Sequence, residues 1–259
     1  MRLDDELVFC VSLKSRSNSK DWVQVSRYLE NTVKSIKGST DERFHILVVG
    51  HEKPDFLNHI ESGVTFLQAP FAPPSTKDRG RPMDKARKRR FGGAWLRENI
   101  EKSVRLAFVD ADDLVSTNLV KTAMDQPSER SLIIDSGYRF DLRNSDLELI
   151  SNQFYRHCGS CLLPVFKAEE LPDTWEDESK VFSHLGPHSK LTERFKVLGR
   201  PLEKIDYPAI TYMTNHVESL EHSKKGMRDG LIENQFSDAE KKLIFQEQFS
   251  IDIKDFVVG

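Results

Sequence analysis

The sequence predicts an α/β fold whose first half is an open, parallel sheet. Three observations carry this: short apolar runs that recur along the chain, a helical apolar repeat between the first two, and polar loops where the runs end. Leu7-Val8-Phe9-Cys10-Val11 reads as a buried strand that opens into Ser12-Leu13-Lys14-Ser15-Arg16. Trp22, Val25, Leu29, Val33 and Ile36 follow at steps of three and four, behind Asp21 as N-cap and ahead of Gly38 as stop, so this segment is an amphipathic helix. Phe44 to Val49 is the second strand, closed by Gly50-His51-Glu52-Lys53-Pro54. Strand, helix and strand in this order make a βαβ unit with parallel pairing. Val64 to Leu67 is a third strand, and the proline-rich stretch Ala69 to Thr76 is a loop suited to closure or acceptor contacts. Met83 to Ile100 reads as helix despite Gly92-Gly93, and Leu106-Ala107-Phe108-Val109 is a fourth strand that runs into Asp110-Ala111-Asp112-Asp113.

Beyond Val120 the pattern changes. Ser131 to Asp135, Leu147 to Ile150 and Pro208 to Met213 read as strands, and Leu162 to Phe166 is another apolar stretch. Leu191, Phe195 and Leu198 mark a helix that ends at Gly199, and residues 218–259 form a charged, mostly helical arm anchored by Leu243, Phe245 and Phe249. The arm packs on the body or on a partner chain, the latter making a homodimer. With 259 residues, 38% of them hydrophobic and 31% charged, the chain supports a large core and is neither fibrous nor disordered. A net charge of −3 gives no whole-protein attraction to nucleic acid. Three cysteines, Cys10, Cys158 and Cys161, are an odd, sparse set that reads as buried thiols. No signal pattern or membrane span is visible, so the expectation is a cytoplasmic protein, with peripheral membrane contact left open.

The chemistry concentrates in two places. Asp110, Asp112 and Asp113 crowd the exit of an apolar strand, where mutual repulsion calls for a compensating cation; Mg²⁺ or Mn²⁺ suits hard oxygen donors. On an extended segment Asp110 and Asp112 would address one site, and Asp113 would shape the turn. The bland alternative is that the acids cap a helix over Val115 to Ala123. Lys77 to Arg90 holds eight basic residues against two acidic ones, and helical spacing puts Lys85, Lys88 and Arg89 on one face, suited to an anionic ligand or merely solvated.

This order of features resembles the glycosyltransferases of the GT-A fold, in particular the family 2 type, over roughly residues 6–220, with Asp110-Ala111-Asp112 as the D-x-D motif. The resemblance implies a Rossmann-like mixed sheet flanked by helices, with a catalytic domain over 1–217, its nucleotide-sugar half about 1–125 and its acceptor half about 126–217, and the arm beyond. It implies a divalent cation at Asp110 and Asp112, with His216 as a third ligand, and a UDP- or GDP-sugar donor bordered by Ser12, Lys14, Glu52, Lys85, Lys88 and Asp110. His188 or Asp177 would be the base that deprotonates the hydroxyl of a glycan or other acceptor, with inversion. Glu176 beside Asp177 has a suitable residue type too, while His222 lies near His216. Two rivals stand beside this: a haloacid-dehalogenase-type phosphotransferase with Asp110 as nucleophile, and a catalytically silent protein that binds nucleotide-sugar or polyanion.

Overall fold

The computed structural model describes residues 3–75, 80–218, 232–233 and 236–256; for Gly80, Arg81, Ile232 and Glu233 it gives the backbone alone. The basic residues Lys77 and Arg79, and His222, lie outside the described residues. Strands β1 (Leu7–Ser12), β2 (Phe44–Gly50), β3 (Val64–Gln68) and β4 (Ser103–Asp110) pair in parallel in the order β3-β2-β1-β4. Between β1 and β2 runs α1 (Trp22–Lys37), with the Asp21 carboxylate accepting from Gln24 N at 3.1 Å. Gly38 does follow the helix, but with φ −73° it does not act as a left-handed stop. Space is the constraint there, since a Cβ on Gly38 would lie 2.4 Å from Ser250 Cβ.

Helix α2 (Gly80–Asn99) leads into β4, and its glycine pair is explained by close approach on two sides. A Cβ on Gly92 would press on Val49 at 3.3 Å, and one on Gly93 on Pro172 at 2.9 Å. After β4 the chain leaves the first sheet. β5 (Leu114–Val115) and α3 (Leu119–Met124) follow, then β6 (Leu132–Asp141), β7 (Asp146–Ile150), β8 (Leu162–Leu163), β9 (Val165–Lys167), α4 (Leu191–Val197) and β10 (Glu203–Thr214). β5, β6, β7 and β10 belong to a second mixed sheet, in which β10 runs parallel to β6 and antiparallel to β5. The chain crosses between sheets again at Pro164: β8 pairs with β6, while β9 is antiparallel to β4 in the first sheet. This is a mixed α/β architecture with helices against the sheets. The second half is more extended than expected, since β6 spans ten residues and β10 twelve.

Residues 115–123 are not one helix, because Leu114 and Val115 pair with β10 and α3 begins only at Leu119 behind Asn118. The acidic triplet therefore caps no helix. It is the joint at which the chain passes from one sheet to the other. β11 (Ile232–Glu233) pairs with β7, and α5 (Asp238–Phe249) starts from a reciprocal cap between Ser237 and Glu240. Phe245 and Phe249 are buried against Phe140 and Tyr138, so the arm packs on the body. Leu243, expected as an anchor, is exposed, because it points away from the face carrying Phe245 and Phe249.

Candidate functional site

The register that aligns Ser12 of β1 with Asp110 of β4 brings the carboxyl ends of both strands together, where open parallel sheets bind ligands. A cleft of about 380 Å³ opens there, bordered by Ser12, Lys14, Lys85, Lys88, Asp110, Asp112 and His216. A second cavity of about 470 Å³ lies beside it, lined by Arg89, Phe108, Gly159, Phe182, His188 and others. Lys85 and Pro82 line both.

Each carboxylate of the triplet has its own partner. Residues 110–113 form a tight turn rather than an extended run, with Asp113 N donating to Asp110 O at 3.2 Å, yet Asp110 and Asp112 both face the cleft. Lys85 Nζ donates to Asp110 Oδ1. Burial raises the Asp110 carboxyl, but Lys85 and Arg89 outweigh it and hold it below the usual range. His216 Nε2 donates to Asp112 Oδ2 at 2.8 Å, while its Nδ1 accepts from Glu218 N at 3.3 Å, and the ring stands edge-on to Tyr28. Asp113 is fully buried and turns away from the cleft. It accepts from Ser160 Oγ at 2.5 Å, Cys158 Sγ at 3.3 Å and Met213 N at 3.2 Å, which ties the acidic turn to the 158–160 loop and to β10. Burial first, then Asp112 and Asp110, push its carboxyl well above the ordinary value.

The basic helix is divided rather than presented as one face. Lys85 stands between the cavities, and Lys88 is buried, donating to Leu13 O at 2.8 Å and Asp84 Oδ2 at 2.6 Å, so it braces β1 against α2. Arg89 belongs to the second cavity, its guanidinium 4.6 Å from the Phe108 ring centre. Glu52 lines neither cavity; its carboxylate accepts from Arg16 N at 2.9 Å and so fixes the loop after β1. In the proline-rich loop, Pro74 O accepts from Asn18 at the cleft edge.

His188 lines the second cavity. Its Nδ1 lies 2.5 Å from Tyr155 O, and a carbonyl only accepts, so Nδ1 carries a proton and, in the neutral ring, Nε2 is the nitrogen with the lone pair. Asp177 lines neither cavity, and its carboxylate accepts from Asp173 N, Ser179 N and Ser179 Oγ, which holds it down to about 2. Glu218 is an addition to the expected residues. Its buried carboxylate accepts from Lys14 Nζ and, at 2.6 Å each, from Lys20 N and Asp21 N at the start of α1. The signal available for it was its place two residues after His216, at the end of a strand.

Among the described residues no group of three or more His, Cys, Asp or Glu is arranged to hold a metal ion. The donor set fits a cation in part. Asp110 and Asp112 offer carboxylate oxygens to the same cleft, and His216 stands beside them, hydrogen-bonded to Asp112. Cys10, Cys158 and Cys161 are buried free thiols, with burial pushing Cys10 and Cys161 up to about 12.

No protein-family model matches the chain, and no curated protein matches it. Among solved structures it is similar to the glycosyltransferase GlyE of Streptococcus pneumoniae TIGR4, at 8% identity and a TM-score of 0.43. That likeness covers 84% of this chain and 57% of the other, so the chain spans a little over half the length of that structure. Similarity of this degree decides neither fold family nor activity. Among the described residues no helix is long and apolar enough to cross a membrane.

Proposed function

We propose that the chain is a GT-A-type glycosyltransferase that moves a sugar from a nucleotide-sugar donor to a hydroxyl acceptor with inversion. The observation that carries this is the pair of adjoining cavities at the strand ends, with Asp110, Asp112 and Lys85 at the first and a histidine with a free lone pair in the second. Donor and acceptor need separate compartments that meet at the reacting carbon, and two cavities that share Pro82 and Lys85 support this reading.

In this reading the first cavity takes the nucleotide diphosphate. Ser12 and Lys14 border it from the β1 side, and Lys85 offers its ammonium to the phosphate oxygens that gain charge as the sugar leaves. A divalent cation, Mn²⁺ or Mg²⁺, held by Asp112 and Asp110 would add Lewis-acid neutralisation of that charge. His216 fixes the Asp112 carboxylate. In the second cavity Tyr155 O fixes the His188 tautomer, and Nε2 takes the acceptor proton as the acceptor oxygen bonds to the sugar and the bond to the diphosphate breaks. His188 is preferred to Asp177 because the Asp177 carboxylate is occupied by its own turn.

The test is a thermal-shift panel of UDP, GDP and CDP and their sugars, each with Mn²⁺, Mg²⁺ or chelator, on the full chain and on Asp112→Asn. One nucleotide should raise the melting temperature in a metal-dependent way, since a ligand of the native state stabilises it by mass action, and the variant should melt normally but lose the shift. Absence of any nucleotide shift in cooperatively melting protein overturns the proposal and moves the weight to phosphotransfer or polyanion binding.

A further inference from the structure

Of the basic side chains that line the second cavity among the described residues, all but one are engaged within the chain. Lys85 is bound to Asp110, Arg90 donates to Trp175 O at 2.7 Å and pairs with Glu178 at 3.0 Å, and His188 donates to Tyr155 O. The Arg89 side chain makes no hydrogen bond and no ion pair with any other described residue. Its side chain is half-buried, the guanidinium over the Phe108 ring of β4, with Phe182, Leu162 and Leu185 forming the apolar walls beside it. Asp110 faces it through space, but that carboxylate is already held by Lys85. A guanidinium carries five N–H donors in a planar fork, and withdrawing them from water is costly unless an acceptor is supplied. Low-dielectric walls strengthen the attraction to any anion placed there.

We propose that the second cavity binds an acceptor carrying an oxyanion, a carboxylate or a phosphate monoester on a small hydroxylated molecule, with Arg89 as the residue that holds it. This rests on reading that cavity as the acceptor compartment. Carboxylate and phosphate oxygens match the bidentate fork of Arg89, while the apolar walls exclude competing water. His188 stands in the same cavity, so an acceptor anchored by its anion at Arg89 can turn a hydroxyl to Nε2. A neutral sugar would leave the guanidinium unpaired, and the cavity would discriminate against it.

Calorimetric titration of the full chain with D-glucuronate, glycerol 3-phosphate and methyl glucoside tests this, in wild type, Arg89→Gln and Ser183→Glu. Ser183 lines the same cavity and is only half-buried, so a carboxylate at this position competes with the ligand even if the arginine variant does not fold. One anion should bind about ten-fold or more tightly than methyl glucoside, and both variants should lose that preference. The glucuronate and glycerol phosphate arms show which oxyanion is taken. Equal binding of the neutral compound, no binding of either anion at tens of millimolar, or unchanged preference in the folded variants overturns the proposal. Arg89-dependent anion binding without any nucleotide shift would keep this site and remove the glycosyltransferase reading. A nucleotide shift with indifference to acceptor charge would do the reverse.

Discussion

Asp113→Ala removes one acceptor from three donors, and its cost can be assembled from the contacts. Met213 N, 3.2 Å from Asp113 Oδ1, belongs to a residue only 1% exposed and has no route to water. An orphaned buried N–H costs ~1–3 kcal/mol. Ser160 Oγ keeps Asp110 N as its own donor at 2.9 Å and loses only its acceptor, and the Cys158 thiol is a weak donor, so these two add about 1 kcal/mol together. Against this, burial and the neighbouring Asp112 and Asp110 charges disfavour the Asp113 carboxylate, and alanine relieves about 1 kcal/mol of that. The net expectation is ~1–3 kcal/mol of destabilisation, which lowers the melting temperature of a chain this size by ~2–12 °C. Asp113→Asn keeps an oxygen for Met213 N, and its amide can donate to Ser160 Oγ and Cys158 Sγ, so it should lie within ~1 kcal/mol of wild type. Urea and thermal unfolding of the three proteins measure this. An alanine variant melting within ~2 °C of wild type, or an asparagine variant weaker than alanine, would refute the idea that Asp113 fastens the acidic turn to β10.

Lys88→Met keeps the buried stem but strips the ammonium from Leu13 O and Asp84, and should lower stability by ~2–4 kcal/mol in urea; an unchanged midpoint would show that this brace is unimportant. His45 is buried, with Nε2 at Thr65 Oγ1 and Nδ1 unpartnered, and burial lowers its pKa below the ordinary 6.5. The unfolded chain therefore binds the extra proton first, so this contribution is full above pH ~6.5 and is lost as pH falls toward the folded value, at no more than ~1.4 kcal/mol per pH unit. In His45→Gln the stability between pH 5 and 8 should fall less steeply than in wild type, and identical profiles would contradict the assignment. Phe249→Ala empties a fully buried site between Tyr138 and Phe245 and should cost ~3–5 kcal/mol by calorimetry, while a loss under ~1 kcal/mol would mean that α5 contributes little to the body.

The first sheet was legible because each of its strands is a local apolar run and α1 carries a clean helical repeat behind Asp21. The second was not, because its strands acquire meaning only from partners far away: Leu114-Val115 is too short to signal a strand and becomes one against Thr211 and Ile210. The same holds at the site. The clustering of Asp110, Asp112 and Asp113 was visible, but nothing local says that Asp113 turns inward to Met213, a hundred residues on. Nor could the basic run reveal which cations are consumed inside; Lys88 and Asp84, four apart on one helix, pair in a place that charge counting reads as surface.

Lys85 is a shared wall between two chambers, so ligands bound in both would be thermodynamically linked. An anion in the first cleft that draws the ammonium toward itself weakens its hold on Asp110, which changes the potential beneath Arg89 and His188. Linkage of this kind is reciprocal, so filling the second chamber must alter affinity in the first by the same factor. A single lysine side chain would thereby let each compartment register whether the other is filled, without any movement of the backbone.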